Sequence, residues 1–130
     1  MLALDFGRAR TGVAVSDPTG TVARPLCVIE RAGGAAGLAA LARLIGEEEA
    51  ERVVVGMPLT LKGERGEQAR ETEAFVEALA ALTDVPVETY DERFTTDLAE
   101  QTPSSTAGED ALAAAHLLTS YLAWSSAARG

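Results

Sequence analysis

The chain has 130 residues, of which 47% are hydrophobic and 24% are charged, and its formal net charge is -9. This length is typical of one domain with a single core, so we expect one domain over residues 1–130 and exclude a two-domain enzyme. The acidic balance excludes broad, nonspecific adhesion to nucleic acid, because Lys and Arg dominate phosphate binding.

Three short apolar segments open the chain. They predict strands at about residues 2–6, 11–17 and 21–29, which are rich in Val, Ile and Leu. Gly7 separates the first pair, and the turn sequence Asp17-Pro18-Thr19-Gly20 separates the second. Two tight connections in succession predict an antiparallel meander.

Helices and strands alternate in the rest of the chain. An apolar stripe at helical spacing predicts a helix ahead of a strand over residues 52–56, and the stripe consists of Leu38, Leu41, Leu44 and Ile45. A second helix is predicted from about Gly66, ahead of a strand over residues 85–90, and it carries Phe75, Leu79 and Leu82. A last helix is predicted from Glu109 to about Ala127. The alternation predicts a mixed sheet.

Asp5 is an acidic residue in an apolar strand. An ionised carboxylate there needs a cation, hydrogen-bond donors or a metal, and the alternative is that Asp5 caps the turn at Gly7. Asp91 and Glu92 follow the last strand, and Glu109 and Asp110 lie at the start of the last helix. Because functional groups gather at the carboxyl ends of parallel strands, where Glu92 would lie, we expect three of these acids to converge there.

Three converging carboxylates predict a site for hard metal ions. Like charges repel unless the groups are protonated or bridged by cations, and oxygen ligands suit Mg²⁺ or Mn²⁺. Two such ions, about 3.5 to 4 Å apart, activate a water molecule and stabilise the leaving oxygen in phosphodiester cleavage. The order of elements is that of a ribonuclease-H-like α/β fold, with a mixed five-stranded sheet of three antiparallel strands and then alternating helix and strand, flanked by helices.

The chain resembles the YqgF (RuvX) family of pre-16S ribosomal RNA nucleases, which is related to Holliday junction resolvases. The similarity spans nearly the whole chain and is carried by Leu4-Asp5-Phe6-Gly7, Thr11-Gly12-Val13-Ala14-Val15-Ser16-Asp17, Ala23-Arg24-Pro25-Leu26, Val55-Gly56-Met57-Pro58-Leu59, Asp91-Glu92-Arg93-Phe94-Thr95-Thr96 and Asp110-Ala111-Leu112-Ala113-Ala114-Ala115. The resemblance implies that Asp5, Glu92 and Asp110 are the catalytic acids of a metal-dependent nuclease.

The implied reaction is phosphodiester hydrolysis in 5′-end processing of pre-16S ribosomal RNA during ribosome biogenesis. One alternative is resolution of Holliday junctions in branched DNA, and another is a non-catalytic protein-binding or RNA-binding module of the same fold. An actin-like or sugar-kinase fold shares the opening strands, but it uses two such domains and a second phosphate loop. The partner is therefore expected to be nucleic acid, and the protein a monomer or a homodimer.

Basic and polar residues near the predicted turns are candidate substrate contacts. They are Arg8 and Arg10 in the first turn, Thr60, Lys62 and Arg65 in the loop after Gly56-Met57-Pro58-Leu59, and Arg93 beside Glu92. Glu109 adjoins Asp110, but neighbouring helical residues point about 100° apart, so the two are not expected to bind the same ion. Residues 102–108 contain no Lys or Arg, which removes a source of phosphate contacts that the family usually has.

The sequence also indicates a compartment. Cys27 is the single cysteine, which excludes an internal disulfide and fits a reducing environment. No apolar run reaches the length of a membrane span, and Asp5 and Arg8 interrupt any apolar core of a signal peptide. We therefore expect a cytoplasmic protein that does not bind membranes.

Overall fold

The computed structural model describes residues 1–7, 9–16, 22–57, 66–91 and 107–129, and in the last range it describes the side chains of residues 111–124. Strands and helices within these ranges follow the predicted order. They are β1 (Leu2–Asp5), β2 (Arg10–Ser16), β3 (Ala23–Glu30), α1 (Ala35–Glu47), β4 (Val53–Met57), α2 (Glu67–Ala80), β5 (Val87–Asp91) and α3 (Ala107–Arg129).

The strands form one mixed sheet in the order β3-β2-β1-β4-β5. The pairs β1–β2 and β2–β3 are antiparallel, whereas β1–β4 and β4–β5 are parallel. All five residues of β4 are buried, as expected for a strand with helices over both faces of the sheet. The predicted antiparallel meander and mixed five-stranded sheet are therefore confirmed.

Alternate residues of β1 belong to two different cores. Leu2 and Leu4 join a cluster that includes Leu41 of α1 and Leu79 of α2. Ala3 instead joins a cluster dominated by residues of α3, such as Leu118. Because successive side chains of a strand point to opposite faces, α1 and α2 cover one face of the sheet and α3 covers the other.

Backbone hydrogen bonds cap the C-terminal end of α1. Glu49 adopts a left-handed conformation with φ of 52°, and its N–H donates to the carbonyl oxygen of Gly46 at 3.2 Å. The N–H of Ala50 donates to the carbonyl oxygen of Ile45 at 3.1 Å. These two bonds form a Schellman motif, which satisfies carbonyl groups that the end of a helix leaves without partners.

Element boundaries differ from the predicted ones by one or two residues. Helix α2 ends at Ala80, so the prediction that Leu82 lies on this helix is wrong. The N–H of Leu82 donates to the carbonyl oxygen of Leu79 in the closing turn, and its side chain is 52% exposed. Among the described helices, none combines the length and the apolar character that crossing a membrane requires.

Candidate active site

Three parallel strands end at one edge of the sheet. Asp5 is the last residue of β1, and Asp91 is the last residue of β5. Between them, β4 ends at Met57, which is in register with Asp91. Neighbouring strands lie about 4.8 Å apart, so β1 and β5 are separated by about 10 Å. This edge, which we call the carboxyl edge, therefore brings the end of the Asp5 strand close to the start of the Asp91-Glu92-Arg93 sequence.

The half-buried Asp5 belongs to the face of the sheet that α3 covers. It is two residues after Ala3, which packs in the α3 cluster, and strand alternation returns to the same face at every second residue. In register with Asp5 on β2 is Gly12, which contributes no side chain. Position 12, the β2 neighbour of Asp5, is therefore occupied by backbone alone.

Arg10 shares this face with Asp5. It lies two residues before Gly12 and four before Ala14, and Ala14 packs in the α3 cluster. Arg10, predicted as a substrate contact in the first turn, is thus the first residue of β2, and its role in substrate binding stays a prediction.

The last helix runs away from the carboxyl edge. Near its far end, Tyr121 donates a hydrogen bond to Oε1 of Glu88 and accepts one from Nη1 of Arg52 at 3.1 Å. Glu88 lies near the beginning of β5, and Arg52 directly precedes β4. Both contacts therefore lie toward the opposite edge of the sheet.

The first turn of α3 consequently lies toward the carboxyl edge. Asp110 is in this turn, eleven residues before Tyr121, which corresponds to about 16 Å along a helix. The predicted helical start around Glu109 and Asp110 is confirmed for the backbone, while their side chains lie outside the described atoms. Small side chains bring α3 close to the sheet, because Ala114 on the helix and Ala3 on β1 are both fully buried.

The turn after Asp5 is fixed by packing and by a glycine. The ring of Phe6 stacks on that of Phe75 from α2, with 4.3 Å between centroids. The N–H of Gly7 donates to Oγ1 of Thr11 at 3.4 Å. A Cβ atom at Gly7 would lie 2.6 Å from the carbonyl oxygen of Arg10, so only glycine fits without a shift of the backbone. The prediction that Gly7 separates the first two strands is confirmed, because β1 ends at Asp5 and pairs with β2 in the antiparallel direction.

An open cleft adjoins this turn on the α2 side of the sheet. Its volume is about 450 Å³, and its described lining consists of Phe6, Gly7, Glu67, Gln68 and Glu71. The carboxyl edge thus has a cleft directly beside the residue that follows Asp5.

Several predicted site residues lie outside the described residues: Glu92, Arg8, Thr60, Lys62, Arg65 and Arg93. Their roles stay predictions. Within the described part of the chain, no three His, Cys, Asp or Glu residues are grouped as a metal site. Gly12 carries a structural signal that sequence reasoning missed, since its role depends on the register between β1 and β2.

The order of strands and the helices on both faces define a ribonuclease-H-like fold. A solved structure with the same fold is that of "T. thermophilus RuvC in complex with Holliday junction substrate", with a TM-score of 0.59 and 19% identity over 96% of each chain. The family model for RuvX, described as Holliday junction resolvase, matches residues 1–124. The chain therefore belongs to the RuvX family.

Two curated relatives carry the name "Putative pre-16S rRNA nuclease". The protein from Chloroflexus aggregans (strain MD-66 / DSM 9485) is 48% identical over 101 residues, which cover 78% of this chain and 71% of that protein. The protein from Sulfurihydrogenibium sp. (strain YO3AOP1) is 42% identical over an alignment of 130 positions, which covers 94% of this chain and 88% of that protein.

Proposed function

We propose that this chain is a single-domain nuclease that hydrolyses phosphodiesters during 5′-end processing of pre-16S ribosomal RNA, with Mg²⁺ or Mn²⁺ as its cofactor. Membership of the RuvX family and the names of its relatives support a nuclease that acts on nucleic acid. Because its proposed substrate is a ribosomal RNA precursor, we propose that the protein acts in the cytoplasm.

One observation carries the proposal. Asp5 ends β1 on the α3 face, opposite Gly12, at the edge toward which the first turn of α3 points. Tyr90 of β5 packs against α3, and Asp91, the last residue of β5, directly precedes Glu92 in the sequence. These positions support our proposal that Asp5, Glu92 and Asp110 act together at the carboxyl edge.

The donor set fits hard divalent ions. Carboxylate oxygens are the ligands that Mg²⁺ and Mn²⁺ prefer, and Asp5 stands in register with Gly12, which has no side chain. Asp5, Glu92 and Asp110 would hold the metal. Bound divalent ions supply charge neutralisation at the scissile phosphate and lower the pKa of the attacking water.

The remaining proposed residues bind the substrate. Arg10 lies on the Asp5 face, where its guanidinium would donate two parallel hydrogen bonds to two oxygens of a phosphate group. We propose the same role for Arg8, Thr60, Lys62, Arg65 and Arg93. Since the chain carries a net charge of -9, its attraction to nucleic acid must come from such local contacts.

The experiment is cleavage of a labelled RNA that contains the pre-16S 5′ end, in Mn²⁺ or in EDTA. We compare the unsubstituted protein with Asp5→Asn and Glu92→Gln. Asp84→Asn is the matched control, because it removes the same charge at an exposed position before β5, near the opposite edge. We expect the unsubstituted protein to cut the RNA in Mn²⁺ and not in EDTA. The cleavage rate of both site variants should be lower by at least about 100-fold, and that of the control should be unchanged. Equal residual cutting in all four proteins would contradict the proposal.

A second candidate is resolution of branched DNA, which the description of the RuvX family model favours. A labelled four-way DNA junction is therefore tested in parallel with the RNA. If only the junction is cut, and if this metal-dependent cutting is lost in Asp5→Asn, the substrate is branched DNA rather than RNA. The proposed metal-dependent hydrolysis would then stand. Nucleic-acid binding without cutting of either substrate would favour the non-catalytic module.

A further inference from the structure

The connection from β3 to α1 contains an arginine in an unfavourable backbone conformation. Arg31 has a φ of 50°, in the left-handed region where a side chain costs energy and glycine does not. Gly33 and Gly34 follow almost immediately, so this loop already uses glycine at nearby positions. An exposed arginine at a position that suits glycine calls for a reason beyond the turn itself.

The other described residue of this kind has a structural reason. Glu49 also has a positive φ, but it stands at the position after a helix end where the Schellman motif requires that conformation. Arg31 instead follows a strand. Its positive φ belongs to the turn that connects β3 to α1, near the candidate active site.

The Arg31 backbone is held from several sides. Its N–H donates to the carbonyl oxygen of Ala9 at 2.9 Å, and its carbonyl oxygen accepts from the N–H of Gly34 at 2.9 Å. Ala32 is fully buried, and a Cβ atom on Gly37 would lie 2.4 Å from the carbonyl oxygen of Arg31. The surroundings therefore fix where the Arg31 Cα lies, next to the turn between β1 and β2.

Arg31 belongs to the carboxyl edge. Residue Glu30, which precedes it, is in register with Arg10, and β3 is two strands from β1. Two strand spacings are about 10 Å, so the backbone of Arg31 lies about that far from the end of β1 that carries Asp5. We propose that Arg31 binds a backbone phosphate of the nucleic-acid strand, away from the bond that is cut. This inference rests on the proposed nuclease function.

The test measures RNA affinity against salt concentration, in an Asp5→Asn background so that the RNA is not cut. Arg31→Gly removes the cation and suits the backbone, whereas Arg31→Lys keeps the charge. Arg43→Ala is the matched control, because it removes the same charge from an exposed position on α1. Arg43 is eight residues beyond the start of α1, which corresponds to about 12 Å along the helix.

For Arg31→Gly we expect the slope of log affinity against log salt to fall by about 0.7, the contribution of one phosphate contact on a single strand. Between 50 and 200 mM salt, its affinity then declines about 2.5-fold less than that of the parent. Arg31→Lys and Arg43→Ala keep the parental slope. The melting temperature of Arg31→Gly rises, because glycine accepts the positive φ without strain.

Two results would overturn the inference in distinguishable ways. A higher melting temperature with an unchanged salt slope in Arg31→Gly would mean that Arg31 is only a turn residue, and the proposed nuclease function would stand. Absence of RNA binding by the parent protein, together with absence of cutting by the unsubstituted chain, would overturn both proposals.

Discussion

The close packing of α3 on the sheet makes Ala114→Leu a sharp test of how Asp110 is positioned. Ala114 is fully buried and lies one helical turn after Asp110, and it packs in one cluster with Ala3 and Ala14, which are also fully buried. A leucine adds three carbon atoms where the sheet offers no space. Overpacking of this kind costs about 1 to 3 kcal/mol.

The expected loss of activity is larger than the loss of stability implies. If the added side chain lifts the first turn of α3 by about 1 Å, and if Asp110 is catalytic as we propose, misplacement on that scale should reduce the rate by about 100-fold. A destabilisation of about 2 kcal/mol lowers the melting temperature by roughly 8 °C in a domain of this size. At 25 °C the variant then stays folded, so the two effects can be measured separately.

The assay pairs RNA cleavage at 25 °C with urea unfolding followed by circular dichroism. Ala123→Leu is the control, because it makes the same change at an exposed position on α3. We expect the control to match the unsubstituted protein in both measurements. Unchanged stability of Ala114→Leu would refute the packing argument, and lost stability with full cleavage activity would refute the link between this contact and the site.

Three further predictions concern stability. Glu49→Gly should raise the free energy of unfolding by about 1 kcal/mol in urea, because glycine relieves the positive φ, and a decrease would refute that reading. Tyr121→Phe should lower it by about 1 kcal/mol, because the hydroxyl bonds both Arg52 and Glu88; equal stability would mean that water replaces these bonds. Burial, and secondarily the charge of Glu48, raise the pKa of the Cys27 thiol above its ordinary 9.0. The unfolded chain then releases a proton that the folded chain keeps, so stability should fall as pH rises through this ordinary value. Cys27→Ala should reduce that decline, and an identical pH profile would contradict the assignment.

The pattern of the sequence determined the elements and their order. Apolar runs broken by Gly7 predicted the opening meander, and helical spacing of Leu41 and Ile45 predicted α1, because burial of one face imposes these periods on a sequence. The isolated charge of Asp5 in an apolar strand marked the candidate site for the same reason. Leu82 shows the limit, since a helical stripe does not reveal where a closing turn ends the helix.

Only the tertiary structure decided which residues share a face and an edge. The register of β1 with β2 sets Gly12 opposite Asp5, and the contacts of Tyr121 orient α3 so that its first turn points to the carboxyl edge. The positive φ of Arg31 likewise arises from a turn held by Ala9 and by the close approach of Gly37. Sequence periodicity reports burial within one segment, whereas register, helix direction and loop conformation depend on contacts between segments that are distant along the chain.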